Sequence, residues 1–277
     1  MFVHIVRSSS LSNGGTSIFL YLDTLLFNSD SSIPLRRGKV LITTSWDDGH
    51  PLDLKLCSLL KEHGMSATMY LPIANPENEV ISNDTIRTIA KDFEIGGHTY
   101  NHTWLTQVDE SRMIYELTES KNVLESIVRK EVVSFCYPRG LYNKKVTKKV
   151  KESGYKLART AKSLYTTLSR PLEYHPTIHA FDYNLIAKSK QMVTAGDRSL
   201  ATKLLLYGNI FKRWDMVAKK SLDHVLENGG IWHLWGHSWE IDRYDNWSLL
   251  RDILEYTEVN GRKYGAEFVE NGMLVGY

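Results

Sequence analysis

An α/β fold, with parallel strands joined by crossover helices in one domain of the barrel kind, is what the patterning of this chain predicts. Short β-branched or apolar runs alternate with longer segments whose apolar residues recur at helical spacing, from Lys39 onward. No internal repeat, low-complexity tract or Pro-rich linker breaks the alternation. The length of 277 residues suits a single barrel, since such domains run to about 250 residues.

The elements follow in order. KVLITTSW (39–46) reads as a buried strand that stops at Asp47, Asp48 and Gly49. Leu52, Leu56, Leu59 and Leu60 then mark a helix ending at Gly64, and ATMYLP (67–72) is the next strand. Ser82 or Asn83 caps a helix carrying Ile86 and Ile89, and FEIGG (93–97) is a strand running into His98. A longer helix sets Met113, Leu117, Leu124 and Ile127 on one side.

VVSFCYP (132–138) is a strand, a helix runs from after Asn143 to near Gly154, and YKLART (155–160) is a strand again. Residues 161–210 carry a strand around TIHAF (177–181) and a helix near Ser199 to Tyr207. An amphipathic helix with Trp214, Val217, Ala218, Ser221, Leu222 and Val225 ends at Gly229 and Gly230. IWHLWGH (231–237) is the strand after it, and a final helix covers about Ser248 to Val259. Residues 1–37, Ser-rich and then apolar, read as a peripheral segment, with 38–277 as the main domain.

Composition narrows the functions. Lys and Arg number 34 against 32 Asp and Glu, and a net +2 provides no broad positive field for nucleic acid. Two cysteines, Cys57 and Cys136, are too few for a disulfide framework or a thiolate zinc site, so any metal falls to His and carboxylates. The apolar run TSIFLYLDTLLF is interrupted by Asp23 and falls short of the ~20 residues of a membrane span. It lacks the flanks of a signal peptide, so the chain reads as cytoplasmic rather than secreted.

Functional groups of such folds gather where strands end. Asp47 and Asp48 are adjacent carboxylates, costly side by side unless a cation lies near, although Asp and Gly also simply favour turns. HTYNH sets His98 and His102 four apart, so one helical turn would bring both imidazoles to one side. With an oxygen from the double Asp, this makes two histidines and one carboxylate, the ligand set of a hydrolytic metal site. Alternation places His233, Trp235 and His237 on one face, where a histidine can act as general acid. Trp232, Trp235 and Trp239 suit either sugar stacking or core.

TTSWDDG (43–49), HTYNH (98–102), FCYPRG (135–140) and the late strand ending in GH resemble, in order and spacing, the motifs of the polysaccharide deacetylases, carbohydrate esterase family 4. The resemblance runs over about Lys39 to Glu240. It implies a distorted (β/α) barrel with about seven parallel strands. It also implies a divalent metal, usually zinc, in a hydrolase that removes acetyl groups from N-acetylated glycans.

By position it makes Asp47 the catalytic base and Asp48, His98 and His102 the metal ligands, with Thr99 where the family often has Ser or Thr. The backbone N–H of Arg139 is the oxyanion donor and His237, preferred over His233, the general acid. Tyr137, Pro138, Trp235 and His233 are expected at the substrate. Many members have Arg after the Phe of the third motif, where this chain has Cys136. Either another cation takes its place or the base is tuned differently. Hydrolysis of a non-sugar amide and non-catalytic carbohydrate binding are the alternatives.

Overall fold

The computed structural model describes residues 38–168, 170–206 and 213–276; the expected N-terminal segment 1–37 lies outside the described residues. In it the strands β1 (Val40–Asp47), β2 (Ala67–Leu71), β3 (Glu94–Gly97), β4 (Ser134–Cys136), β5 (Leu157–Arg159), β6 (Ile178–His179) and β7 (Gly230–Gly236) form one sheet in the order β5-β4-β3-β2-β1-β7-β6. Every pairing is parallel. A two-residue strand, β8 (Glu267–Phe268), pairs with the start of β1 at Leu41 and Ile42. The sheet curls so that residues just before β6 reach β5 through one bridge, Arg159 to Tyr174. This is the distorted barrel of about seven parallel strands that the sequence motifs imply.

Helices cross over between strands. They are α1 (Asp53–Glu62), α2 (Asn83–Ile89), α3 (Glu110–Val128), α4 (Lys144–Glu152), α5 (Leu185–Val193), α6 (Arg198–Leu206), α7 (Trp214–Asn228), α8 (Ser238–Arg243) and α9 (Trp247–Lys263). Their starts follow capping chemistry: Ser82 Oγ accepts from Thr85 N–H at 3.3 Å and Asn143 Oδ1 from Val146 N–H at 3.0 Å. Three elements are absent from the sequence reading, and each has a reason. Leu185, Ile186 and Val193 of α5 point outward and its one buried residue is Lys188, so no apolar stripe marks it. α8 has six residues and β8 two, too few for periodicity to register.

β1 is buried along its whole length and its two faces meet different surroundings. Val40, Ile42 and Trp46 pack outward with Leu56, Leu60, Leu117, Trp232 and Leu254, the layer between sheet and helices. Burying side chains such as Ile42 or Leu60 contributes about 1.5–3 kcal/mol each. Leu41 packs inward with Leu157, Tyr174, Ile231 and Leu274. Above it the interior turns polar: Thr43 Oγ1 donates to Asn271 Oδ1 at 2.9 Å, and Ser45 Oγ lies 2.8 Å from His233 Nε2. By the same alternation Asp47 faces inward at the carboxyl end.

The amino end is sealed by the residues after β8. Asn271 receives Thr43, donates its backbone N–H to Thr68 Oγ1 and its Nδ2 to the Tyr70 hydroxyl, each at 2.9 Å. Gly272 N–H donates to Glu94 Oε2 at 2.9 Å, and Glu94 also accepts from Thr68 and Ser134. Buried hydroxyls of β1 and β2 and the Glu94 carboxylate of β3 thereby meet a single turn of chain, and Ser134 of β4 is met by Glu94.

The glycines of β3 explain the EIGG string. A Cβ on Gly96 would lie 2.5 Å from the Tyr70 ring and one on Gly97 would collide with the Tyr155 hydroxyl. Both partners are stiff and buried, with Tyr70 at 0% and Tyr155 at 2% exposure, so neither can step aside. Gly97→Ala is expected to lower stability by about 1–3 kcal/mol through overpacking, read as an earlier urea midpoint. An unchanged midpoint would mean that the Tyr155 ring has room to move.

Candidate active site

At the carboxyl ends of β1, β3, β4, β5 and β7 lies a cleft of about 720 Å³. Its lining includes Asp47, Asp48, His98, His102, Cys136, Tyr137, Arg139, Arg159, Trp235, His237 and Trp239. The first four reach it from two turns with unusual backbone. Asp48 (φ 81°) and Gly49 (φ 64°) are both left-handed, as are Thr99 (φ 64°) and His102 (φ 54°). Such residues cost about 1–3 kcal/mol each where they are not Gly, and surrounding structure must impose them.

That corrects the expectation of a helical turn at HTYNH, because residues 98–104 form a loop. Glu116 of α3 organises it, accepting from Asn101 N–H at 2.8 Å, Asn101 Nδ2 at 3.0 Å and Thr103 Oγ1 at 2.8 Å. Thr103 N–H adds a bond to Thr99 Oγ1 at 2.9 Å. The two imidazoles still meet, with ring centroids 5.0 Å apart.

Asp48 Oδ1 lies 3.6 Å from His98 Nε2 and 3.3 Å from His102 Nε2. These three ligand atoms lie within 4.8 Å of one another, and all three residues are buried. His98 Nδ1 donates to the Cys136 carbonyl at 2.8 Å, which turns its Nε2 toward Asp48. Asp48 Oδ1 and Asp47 Oδ1 are buried oxygens with no hydrogen-bond partner among the described residues. Orphaned acceptors facing two imidazole nitrogens are a cation's donor set, so the residues fit a divalent metal. Burial, with His98 second, pushes His102 down to about 4, which leaves it neutral and able to ligate.

Asp47 is ionised by a partner absent from the sequence expectation. Arg159 is the register neighbour of Cys136 across β4 and β5, and its Nη2 pairs with Asp47 Oδ2. The same nitrogen reaches Cys136 Sγ at 2.9 Å, and Nη1 donates to the Thr160 carbonyl at 3.1 Å. Burial raises the Asp47 pKa, but the Arg159 charge, with His98 and His237, more than offsets it and holds the carboxyl below its usual range. The cation missing at Cys136 is therefore supplied from one strand over. An Arg at the end of a strand, in YKLART, was the available signal, since a buried guanidinium needs a carboxylate.

On the opposite wall His237 Nε2 lies 4.0 Å from Asp47 Oδ2 and 3.9 Å from Asp48 Oδ2. Its Nδ1 sits 2.5 Å from Glu240 Oε2, which also contacts His179 Nε2 at 3.0 Å. Burial opposes the charge on His237, yet the Glu240 contact and both aspartates outweigh it and raise its pKa to about 9. Glu240 itself, despite burial, is pulled down to about 2 by His179 and His237. Asp53, pushed up to about 8 by burial, accepts from Ser238 Oγ at 2.5 Å. Arg159, His179, Asp53 and Glu240 are absent from the residues expected at the site.

The remaining expected residues divide. Tyr137 lines the cleft and donates its hydroxyl to the Leu172 carbonyl at 2.8 Å. Arg139 lines it with φ 57° and pairs its side chain with Glu77 at 2.6 Å. Trp235 is 4% exposed, stacked on His179 at 3.7 Å and beneath the Arg159 guanidinium at 4.4 Å, so protein groups already pack against its ring. Pro138 and His233 are not among the lining residues. His233 is fully enclosed lower in the barrel, between Ser45 Oγ and the Tyr174 hydroxyl at 3.0 Å. Trp232 is core, its Nε1 donating to Ser221.

A family model for polysaccharide deacetylase matches residues 35–158. The Bacillus subtilis (strain 168) protein YxkH, named as a polysaccharide deacetylase, is 25% identical over 126 residues, covering 44% of each chain. The match thus spans less than half the length of that relative. Among solved structures, the Bc1960 peptidoglycan N-acetylglucosamine deacetylase superposes with a TM-score of 0.54 at 18% identity, covering 86% of this chain and 87% of that one. A Xyl-CE4 domain of a xylanase from the hindgut metagenome of Trinervitermes trinervoides gives 0.54 at 15% identity, covering 87% and 91%. At these identities the two structures speak for the fold.

Removing the buried cation should be severe. Arg159→Ala is expected to cost about 3–5 kcal/mol, because Asp47 would remain buried and unpaired. Adding Cys136→Arg to that variant should recover part of the loss by returning a guanidinium from β4. Chemical denaturation of wild type and the two variants reads this; equal stability of the single and double variants would contradict the exchange.

Proposed function

From the match of residues 35–158 to the polysaccharide deacetylase family model, we propose that the chain is a metal-dependent hydrolase that removes N-acetyl groups from an amino-sugar polysaccharide or oligosaccharide. The observation that carries this reading is the convergence of Asp48 Oδ1, His98 Nε2 and His102 Nε2 beside an ionised Asp47. Two imidazoles and one carboxylate suit zinc, which when bound would supply Lewis acidity toward the acetamide carbonyl and toward water. A cleft of about 720 Å³ accommodates a sugar-sized ligand.

The chain's own groups then divide the proton work. Asp47, kept ionised by Arg159 and with Oδ1 unpartnered among the described residues, takes the proton of the attacking water. His237, kept protonated by Glu240 and facing both aspartates through Nε2, gives a proton to the departing amine. The backbone N–H of Arg139, at the cleft wall, is the donor toward the developing oxyanion. Pairing with Glu77 occupies the Arg139 side chain, leaving the backbone as that residue's contribution.

Protein purified without chelator should carry close to one divalent metal per chain and release acetate from N-acetylated glycans such as chitooligosaccharides. Asp48→Ala and His98→Ala should lose the metal; variants that bind as much as wild type would refute the ligand assignment. Release from small linear amides but not glycans would move the substrate class. His237→Ala should keep the metal while losing about 10²–10⁴ in turnover.

The pH profile tests the same histidine. Glu240 raises its affinity for a proton, so Glu240→Gln should lower it. The alkaline fall of kcat/KM, where His237 gives up its proton, should move to lower pH; a shift to higher pH would contradict the assignment.

A further inference from the structure

We propose that Trp239 is a positioning residue: its indole N–H commits Oδ2 of Asp48, so that this carboxylate presents Oδ1 alone to a cation shared with His98 and His102. The inference rests on the metal-site reading above and adds to it a residue outside the ligand set. Trp239 Nε1 donates to Asp48 Oδ2 at 2.9 Å, while Oδ1, the oxygen nearer both imidazoles, has no hydrogen-bond partner among the described residues. A carboxylate with both oxygens open can grip a cation through either or both. One whose second oxygen already accepts a hydrogen bond is turned by it and binds a cation through that oxygen less readily.

The indole is aimed by its neighbours. Ser238, the first residue of α8, is buried and donates to Asp53 Oδ1 at 2.5 Å. Glu240 meets His237 and His179, and Ile241 is buried in the core. Those contacts fix the helix before and after Trp239. The His237 ring lies 5.1 Å from the indole on the cleft side, and the Arg243 guanidinium lies over the ring at 5.8 Å. An aromatic residue at the mouth of a sugar cleft would ordinarily be assigned to stacking on substrate; here its nitrogen is turned inward, to the carboxylate.

Trp239→Phe keeps the ring and removes the donor. Competition against a chromophoric chelator should show Zn²⁺ and Co²⁺ bound about 10–100-fold more weakly than by wild type. The visible absorption of the Co²⁺ form should shift as the carboxylate gains a second contact and the coordination number rises. Wild-type affinity and spectrum in the variant would overturn the inference, and so would weaker binding with an unchanged spectrum, which would mean lost packing rather than altered coordination. If wild-type protein binds no divalent cation, the metal-site reading itself fails, a result separable from the others. Should Trp239→Phe not fold, Trp239→Gln against Trp239→Leu provides the same contrast between a donor and none.

Discussion

Two carboxylates on successive residues, both buried, are the constraint around which the cleft is arranged. Asp47 and Asp48 are each 3% exposed and close enough to the same imidazole, His237, to share its charge. Left alone, such a pair would take up a proton or unfold the strand end. Arg159 answers one charge from β5, and the indole of Trp239 together with the His98 and His102 imidazoles surrounds the other. The division gives the two aspartates different chemistry although they are neighbours in sequence. One is tied through Oδ2 to a permanent cation, the other through Oδ2 to an indole N–H, and each keeps an Oδ1 without a hydrogen-bond partner among the described residues.

The backbone shares this load. Seven non-glycine residues of the described structure have positive φ, and four of them, Asp48, Thr99, His102 and Arg139, belong to the turns at the cleft. Elsewhere the sheet and its crossover helices are ordinary. Strain is concentrated where side chains must be presented at angles that a strand or helix does not offer. Glu116 shows how it is maintained: a fully buried carboxylate on α3 takes three hydrogen bonds from the loop that carries both histidines.

The parallel strands and most helices were legible in the sequence, because burial on both faces leaves a continuous β-branched and apolar run in VLITTSWD and burial on one face leaves a helical period in ESRMIYELTESKNVLESIV. So was the gathering of Asp47, Asp48, His98, His102 and His237 at strand ends. What stayed hidden depended on register or on short range. That Arg159 stands beside Cys136 follows from how β5 slides against β4, which three-residue strands do not specify. The spacing of His98 and His102 fits a helical turn equally well, and only Glu116, far along the chain, makes it a loop. α8 is too short to show a period, so the roles of Ser238, Trp239 and Glu240 had no pattern to announce them.

The sealing of the barrel's amino end has a consequence in time rather than in space. Thr43, Thr68, Tyr70 and Glu94 belong to the first three strands, yet their hydrogen-bond partners are Asn271 and Gly272. While the chain is being synthesised Thr68 and Glu94 can meet each other, but the Thr43 and Tyr70 hydroxyls gain their Asn271 bonds only later, and burying a polar group unmet would cost about 1–3 kcal/mol. Drying of the interior around Thr43 and Tyr70 is therefore expected to wait for Asn271. A late turn is thus the one that lets early strands dry.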